Sequence, residues 1–210
     1  MKTITLASRK GGAGKTTLAA HLAVLALDRG SVLLLDADPQ GSLRWWWDQR
    51  EGDAPQLAEV KAGALAETVK AAEGEGFATV VVDCAPHAEA GIAEAMRVAD
   101  LVIVPCRPGP LDLAAVPATL AMSTALRKPA LAVLNAAPPP QGVGEPTIVR
   151  EARLALEGAG VKVAETAIAT RAALSHALIS GEAVTEFDAS GKAAREMQSL
   201  WREIASELGE

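Results

Sequence analysis

Short apolar runs, many of them rich in β-branched residues, alternate along the chain with alanine-rich stretches of helical character. The runs that predict strands are 3–7, 31–36, 77–83, 101–105 and 130–135, with a last short one at 161–164. Most of them lack the apolar–polar alternation of a half-exposed strand, which indicates strands buried on both faces of a parallel sheet. The pattern therefore predicts an α/β fold, a mostly parallel twisted sheet with helices on both faces.

The stretches between these runs predict the helices. The first begins near Lys15 and ends near Leu25, and the others span 64–72, 90–98, 111–126, 147–156, 172–179 and 190–208. Pro117 should kink the helix 111–126 or mark its true beginning. The last helix carries one apolar stripe, which predicts packing in the core or in a dimer interface. The stripe consists of Ala193, Met197, Leu200, Trp201, Ile204 and Leu208.

Length and charge narrow the class of protein. The 210 residues, half of them apolar, are most simply one domain covering 1–210 with a sizeable core. The net charge of −6 gives the whole chain no attraction for nucleic acid or anionic membrane, so such binding would need a local basic patch. The first strand begins at once and no apolar run is long enough to cross a bilayer, so we expect a cytoplasmic protein.

A glycine-rich loop lies between the first strand and the first helix. Its second half, Gly14-Lys15-Thr16, is the end of a phosphate-binding loop, in which backbone N–H groups and a helix N-terminus hold a polyphosphate. In this pattern the lysine reaches the β- and γ-phosphates and the hydroxyl binds Mg²⁺. The first glycine of the pattern is replaced by Arg9, and a second lysine, Lys10, precedes Gly11 and Gly12.

Carboxylates end two of the predicted strands. Asp83 follows three valines, like the acid that holds Mg²⁺ through water in enzymes with a phosphate-binding loop. It could instead cap the next helix. Asp36 and Asp38 end another strand before Pro39, which favours an extended Asp38 pointing out of the strand end. Asp38 is therefore the candidate that orients the attacking water, and Lys10 and Lys15 supply positive charge. Thr16, Asp83 and Asp36 are the predicted metal-binding residues.

Four segments of the chain resemble the ParA/MinD family of P-loop ATPases, and most of all its short ParF-like partition proteins. They are the loop from Lys10 to Thr17, Asp36 to Gln40 with Ser42 and Leu43, Val82 to Pro86, and Val104 to Asp112. Weaker likeness continues around Arg171, at 181–184 and at 191–196. The resemblance covers nearly the whole chain.

The resemblance implies roles for the loop. Lys10 would be the signature lysine that crosses an ATP-sandwich homodimer to the other subunit's phosphates. The nucleotide-binding residues would be Lys10, Gly11, Gly12, Ala13, Gly14, Lys15, Thr16 and Thr17, with Asn135 and Pro108 near the adenine. Asp38 would promote a slow, Mg²⁺-dependent hydrolysis. Asn135 is not followed by the guanine-reading residues Lys-x-Asp, which favours ATP over GTP.

The family also implies partners. An ATP dimer would bind nonspecific DNA on the nucleoid, and a ParB- or ParG-like cargo adaptor would stimulate hydrolysis, so that a plasmid, a chromosomal locus or a protein assembly is positioned. From Arg150 to the end there are seven basic and ten acidic residues, so the C-terminal part of the chain is not a basic tail that would indicate DNA binding. Arg171, Lys192, Arg195 and Arg202 either cluster on one dimer face or are ordinary solvated charges.

Three alternatives to this function remain open. A MinD-like membrane switch would need a basic amphipathic C-terminal helix, whereas this C-terminus is acidic, so we expect no membrane partner. An iron–sulfur protein could use only Cys84 and Cys106. A nucleotide-locked scaffold would bind ATP with little turnover.

Two further features of the sequence need an explanation. Three consecutive tryptophans, Trp45 to Trp47, cannot all face inward on a helix, so at least one should be partly exposed, with an interface role favoured over a cofactor role. His87 follows Asp83 closely, but it has no nucleophile to activate and is not assigned as a catalytic base.

Overall fold

The computed structural model describes residues 1–86, 88–142 and 144–209, so His87 lies outside the described residues. The chain forms a six-stranded sheet in the order β3-β2-β4-β1-β5-β6. The strands are β1 Lys2–Leu6, β2 Val32–Ala37, β3 Gln56–Glu59, β4 Thr79–Cys84, β5 Leu101–Cys106 and β6 Ala130–Leu134. Every neighbouring pair is parallel, which confirms the predicted sheet.

At least one helix connects each strand to the next along the chain, as parallel pairing requires, and four more helices follow β6 in the described chain. They are α1 Lys15–Ala26, α2 Ser42–Asp48, α3 Leu65–Gly74, α4 Glu89–Val98, α5 Pro110–Leu113, α6 Val116–Ala125, α7 Thr147–Gly158, α8 Ala172–Ile179, α9 Val184–Phe187 and α10 Lys192–Glu207. None of these helices is both long enough and apolar enough to cross a membrane.

Alternate residues of the central strands point to opposite faces of the sheet, which gives the core two sides. Leu101 and Ile103 of β5 pack in the cluster that also holds α1, α2 and α8 to α10. Val102 and Val104 pack on the other side, against α4, α6 and α7. A third cluster joins β2 and β4 to α3. Helices therefore cover both faces, as predicted.

The structure corrects several predicted elements. The run 161–164 is not a strand, because it makes only an isolated bridge between Val163 and Ala132. The edge strand β3 and the short helices α2 and α9 were not predicted. Pro117 marks a helix beginning and not a kink, since α6 starts one residue before it and α5 is a separate turn. The stripe of the last helix packs in the core.

All strands run in the same direction, so their carboxyl ends meet at one edge of the sheet. In open parallel sheets ligands bind at this edge. The loops that follow β1, β2, β4, β5 and β6 converge there and carry nearly all the candidate site residues.

Candidate functional site

The loop between β1 and α1 is held in shape by two glycines and one asparagine. Gly12 and Gly14 have φ of 69° and 91°, in the left-handed region that favours glycine. The side-chain amide of Asn135, at the end of β6, donates to the carbonyl of Ala13 at 2.8 Å. A Cβ on Gly14 would overlap that amide nitrogen. The sequence predicted Asn135 near the adenine, and in this structure its amide nitrogen is used to hold the loop.

Beneath the loop, the first turn of α1 contacts the end of β4. Lys15 is buried, and the Thr16 hydroxyl donates to Oδ2 of Asp83 at 2.5 Å. The second carboxylate oxygen of Asp83, Oδ1, is buried and has no hydrogen-bond partner among the described residues. Burial raises the pKa of Asp83 to about 7, while Thr16 and Lys15 oppose the shift.

These two side chains fit a magnesium ion. A hydroxyl oxygen and a carboxylate with one unsatisfied oxygen are the hard ligands that Mg²⁺ prefers, and in P-loop enzymes phosphate and water complete the set. Among the described residues no cluster of three or more histidine, cysteine or acidic side chains could hold a metal by itself. Such an ion would therefore take its remaining ligands from phosphate and water.

Asp36 lies beside Asp83 on the adjacent strand, but its oxygens have other partners. Oδ1 accepts from the backbone of Asp38 at 3.0 Å, and Oδ2 accepts from the backbone of Arg44 at 3.1 Å in the first turn of α2. Burial raises its pKa, which these two bonds counteract. These contacts show that Asp36 holds the loop between β2 and α2 in shape. The proposal that Asp36 binds a metal ion stays a prediction.

A cavity of about 640 Å³ opens above the loop. Of the predicted residues, Gly12, Gly14, Lys15, Thr16, Thr17, Asp38 and Asn135 line it. Asp38 is held at the rim by its own turn, in which Oδ1 accepts from the backbone of Gln40 at 3.0 Å. Gly11 and Ala13 belong to the loop without lining the cavity. Pro108 is buried and does not line it either.

Lys10 stands outside the cavity, at the exposed end of the loop. Its ammonium nitrogen is 3.5 Å from the carbonyl oxygen of Leu111 and 3.8 Å from Oδ1 of Asp112, both on α5. Its neighbour Arg9 pairs with Glu89 at the start of α4. The side chain of Lys10 is 40% exposed, so a surface approaching this loop would meet it.

Several cavity residues were not predicted from the sequence. Arg107, Thr170, Arg171 and Trp45 also line the cavity. Arg107 belongs to the segment that carries the family resemblance, but nothing in the sequence indicated that an arginine at this position would line the cavity. Trp45 is 53% exposed and Trp46 is buried, which confirms that not all three tryptophans face inward.

The cysteines and the C-terminal basic residues bear on the alternatives. Cys84 and Cys106 are buried free thiols, and burial raises the pKa of both, that of Cys106 to about 12, so neither is poised as a thiolate ligand. Arg171 is bonded to Glu196 at 2.5 Å. Lys192, Arg195 and Arg202 are exposed on α10.

A glycine loop between the central strand and its helix, with Lys15 and Thr16 at the helix start and an acid from a neighbouring strand beneath it, defines a P-loop nucleotide-binding protein. The CobQ/CobB/MinD/ParA nucleotide-binding domain model matches residues 4–205. The chain belongs to this family and is a ParA/MinD-type ATPase, which confirms the resemblance.

Two relatives match over nearly their whole length. Maintenance of carboxysome distribution protein A of Halothiobacillus neapolitanus is 33% identical, over 96% of this chain and 95% of that protein. The protein of the same name from Gloeobacter kilaueensis is also 33% identical, over 99% of this chain and 94% of its own length. Protein ParA of Rhizobium radiobacter is 37% identical over 53% of this chain and 51% of that protein.

Solved structures share the fold. Apo McdA of Cyanothece superposes with a TM-score of 0.77 at 19% identity, covering 97% of this chain and 99% of that one. MinD of Aquifex aeolicus, in its MinC:MinD complex, superposes with a TM-score of 0.77 at 18% identity, covering 98% of this chain and 96% of that one.

Proposed function

We propose that this ATPase works as an ATP-dependent homodimer and positions a cargo by cycles of assembly and hydrolysis. The observation that carries the proposal is the loop itself. At its inner end, the buried Lys15 and the half-buried Thr16 lie next to the buried Asp83 of β4, and its outer end presents Lys10 at the surface. One end is suited to a nucleotide and the other to a second subunit.

Within one subunit, the backbone amides from Gly11 to Thr16 and the Lys15 ammonium bind the phosphates. Thr16 and Asp83 would hold Mg²⁺, which when bound neutralises phosphate charge. Asp38, at the rim of the cavity, orients the water that attacks the γ-phosphate. Its carboxylate accepts one backbone N–H and is only partly buried, so it keeps an oxygen free for that water.

Between subunits, Lys10 completes the site. Its contacts with Leu111 and Asp112 are long and partly exposed, so they cost little to exchange for a partner's phosphates. A positive charge supplied by a second subunit increases the rate of phosphoryl transfer by a factor on the order of 10³–10⁵. Hydrolysis should therefore be slow until the dimer forms.

For the cargo we favour a protein assembly of the carboxysome kind over a plasmid. The proteins named for carboxysome distribution from Halothiobacillus neapolitanus and Gloeobacter kilaueensis match over 94% or more of their length, whereas the ParA protein of Rhizobium radiobacter matches over about half. The partner that stimulates hydrolysis would then be an adaptor on that assembly. The dimer would use nonspecific nucleoid DNA as its track, which gives a nucleoid-associated location.

For a MinD-like membrane switch, α10 would have to present an apolar face to the bilayer. Its apolar stripe is buried against α1 and the sheet, so the helix would have to leave the core to enter a bilayer. The scaffold alternative, binding without turnover, is decided by the assay below.

Phosphate release and light scattering with Mg²⁺ and ATP test the proposal. The chain should release phosphate slowly and shift from monomer to dimer. Lys10→Ala should bind ATP and lose turnover, and Asp38→Ala should bind ATP and stay dimeric. Arg9→Ala is the matched control, because it removes the adjacent loop cation that is paired with Glu89.

Near-normal turnover in Lys10→Ala would refute the role of Lys10 across the dimer. A monomeric Asp38→Ala in ATP would count against the role of Asp38. ATP binding without phosphate release, even with DNA and adaptor present, would leave the nucleotide-locked scaffold.

A further inference from the structure

Arg107 is a cation in the cavity wall to which neither the sequence nor the family pattern gives a role. It directly follows β5, the strand next to β1, so it leaves the sheet beside the phosphate loop. Its Nη2 atom lies 3.5 Å from the position that a Cβ on Gly12 would occupy. Together with Gly14, Lys15 and Asn135 it lines the nucleotide cavity.

The other basic side chains around this cavity have acidic neighbours. In the cavity wall, Arg171 is bonded to Glu196 and the charge of Lys15 acts on Asp83. At the outer end of the loop, Arg9 pairs with Glu89 and Lys10 lies near Asp112. Arg107 is exposed and, within the described part of the chain, has no hydrogen bond, ion pair or ring contact. An exposed guanidinium held over a glycine loop without an acidic partner is free to bind an anion.

The sheet order separates the charges of the site. Asp36, Asp38 and Asp83 come from β2 and β4, on one side of β1, whereas Arg107 and Asn135 come from β5 and β6, on the other side. A polyphosphate lying along the loop would therefore have the magnesium-binding acids on one flank. On the other flank, Arg107 supplies a positive charge directly after β5, whereas Arg171, which also lines the cavity, is bonded to Glu196.

We propose that Arg107 binds the terminal phosphates of the nucleotide in its own subunit and is a second cation of the phosphate site beside Lys15. The inference rests on the proposed nucleotide site and extends it. The contact is within the subunit, because Arg107 shares the cavity wall with Lys15 of the same chain, whereas Lys10 lies outside that wall. The planar guanidinium can bind two phosphate oxygens at once, which a lysine at this position could not.

Binding of ATP, ADP and AMP, measured by titration calorimetry, tests the assignment. Arg107→Ala should weaken ATP and ADP binding roughly ten- to hundredfold, as expected for charge-assisted hydrogen bonds, and AMP binding much less. Arg107→Lys should restore part of the affinity. Arg97→Ala is the matched control, because this arginine is exposed in the last turn of α4, at the opposite edge of the sheet. Thermal unfolding of Arg107→Ala should be unchanged, since the side chain holds no other group in place.

Three results would overturn the assignment. ATP affinity of Arg107→Ala within about twofold of the original chain would remove the phosphate contact. An equal loss for AMP and ATP would move the contact to another part of the nucleotide. Unchanged binding with lost turnover in the dimer would place the contact on the partner's nucleotide. Failure of the unsubstituted chain to bind ATP would instead refute the proposed function, and this inference with it.

Discussion

At the scale of single residues, the most constrained group of the site is the Asp83 carboxyl. Its Oδ1 is buried without a partner among the described residues, and its pKa is raised from 3.8 to about 7. Between these two values the folded chain holds a proton that the unfolded chain has lost, so stability falls as the pH rises through this window. Above the window the full cost of burying the charge remains.

Asp83→Asn should therefore stabilise the nucleotide-free chain at about pH 8 and change little at about pH 4. Tm should rise at the higher pH, by about 2–4 °C for each kcal/mol of stabilisation in a protein of this size. The same variant should lose Mg²⁺-dependent ATP binding. Scanning calorimetry at both pH values checks the stability. An equal gain at the two pH values would mean that the charge is not its cause.

Gly12 and Gly14, the two glycines of the loop with positive φ, should respond differently to replacement by alanine. Both carry a backbone cost, of order 1–3 kcal/mol for a non-glycine residue. A Cβ on Gly14 also overlaps the amide of Asn135, whereas on Gly12 the nearest atom is Arg107 Nη2 at 3.5 Å, an ordinary contact. Gly14→Ala should weaken ATP binding at least about a hundredfold, and Gly12→Ala by about tenfold. Similar losses in both variants would show that the close approach of Asn135 is unimportant.

At the scale of elements, His21 joins the phosphate-loop helix to α9. Its Nδ1 accepts the backbone N–H of Val184 at 3.1 Å, and its Nε2 has no partner within the described residues. Burial lowers its pKa from 6.5 to about 4, although Glu186 opposes the shift. Below about pH 6.5 the unfolded chain takes up a proton that the folded chain resists, so this group makes stability fall as the pH falls from 6.5 to about 4.

His21→Asn keeps an acceptor in reach of Val184 and removes the titration. Relative to the original chain, the variant should gain unfolding free energy as the pH falls from about 6.5 to 4, measured by urea denaturation, because it lacks the buried imidazole that resists protonation. His21→Leu is the comparison that also removes the acceptor, and it should cost about 1–3 kcal/mol at neutral pH because the Val184 N–H is left unsatisfied. An unchanged pH slope in both variants would contradict the role of His21.

The elements that sequence reasoning predicted are those whose signal is local. The five predicted strands are buried along nearly their whole length, and all of them except β1, in which threonines alternate with Ile4 and Leu6, are mainly apolar. The missed strand, β3, is a half-exposed edge strand, in which polar Gln56 and Glu59 flank Leu57 and Ala58. The wrongly predicted run at 161–164 is apolar because it lies over the core, where one bridge to Ala132 is its only pairing among the described residues.

The same division holds for the site. The Thr16–Asp83 pair follows from a spacing within the loop and a strand end, both visible in the sequence. The support of Gly14 by Asn135, the contact of Lys10 with α5 and the position of Arg107 over Gly12 each join residues about 95 or more positions apart. Only the sheet order brings them together, so no local pattern could predict them.

At the scale of the whole molecule, the question is how a chain with a net charge of −6 would hold DNA. Lys192, Arg195 and Arg202 lie within about 80° of one another around α10, at 100° per residue. They are exposed, and none has an ion pair within the described residues, since Arg195 and Arg202 bond to backbone and hydroxyl oxygens. Arg171 is held by Glu196 and is not expected to contribute.

The basic face of a single subunit would bind DNA weakly. An ATP dimer carries two such faces, and both would contact the same DNA. The triple variant Lys192→Ala, Arg195→Ala, Arg202→Ala should lose ATP-dependent binding to random duplex DNA while keeping dimerisation. Affinity of the original chain should fall steeply with salt, with a slope in log–log form of about −0.9 for each phosphate neutralised. Fluorescence anisotropy with a labelled duplex measures both. Replacing the exposed residues Lys70, Arg97 and Arg150 by alanine is the control of equal charge, because they lie on other helices and have no ion pair within the described residues. Retained DNA binding by the triple variant would exclude α10 as the contact surface.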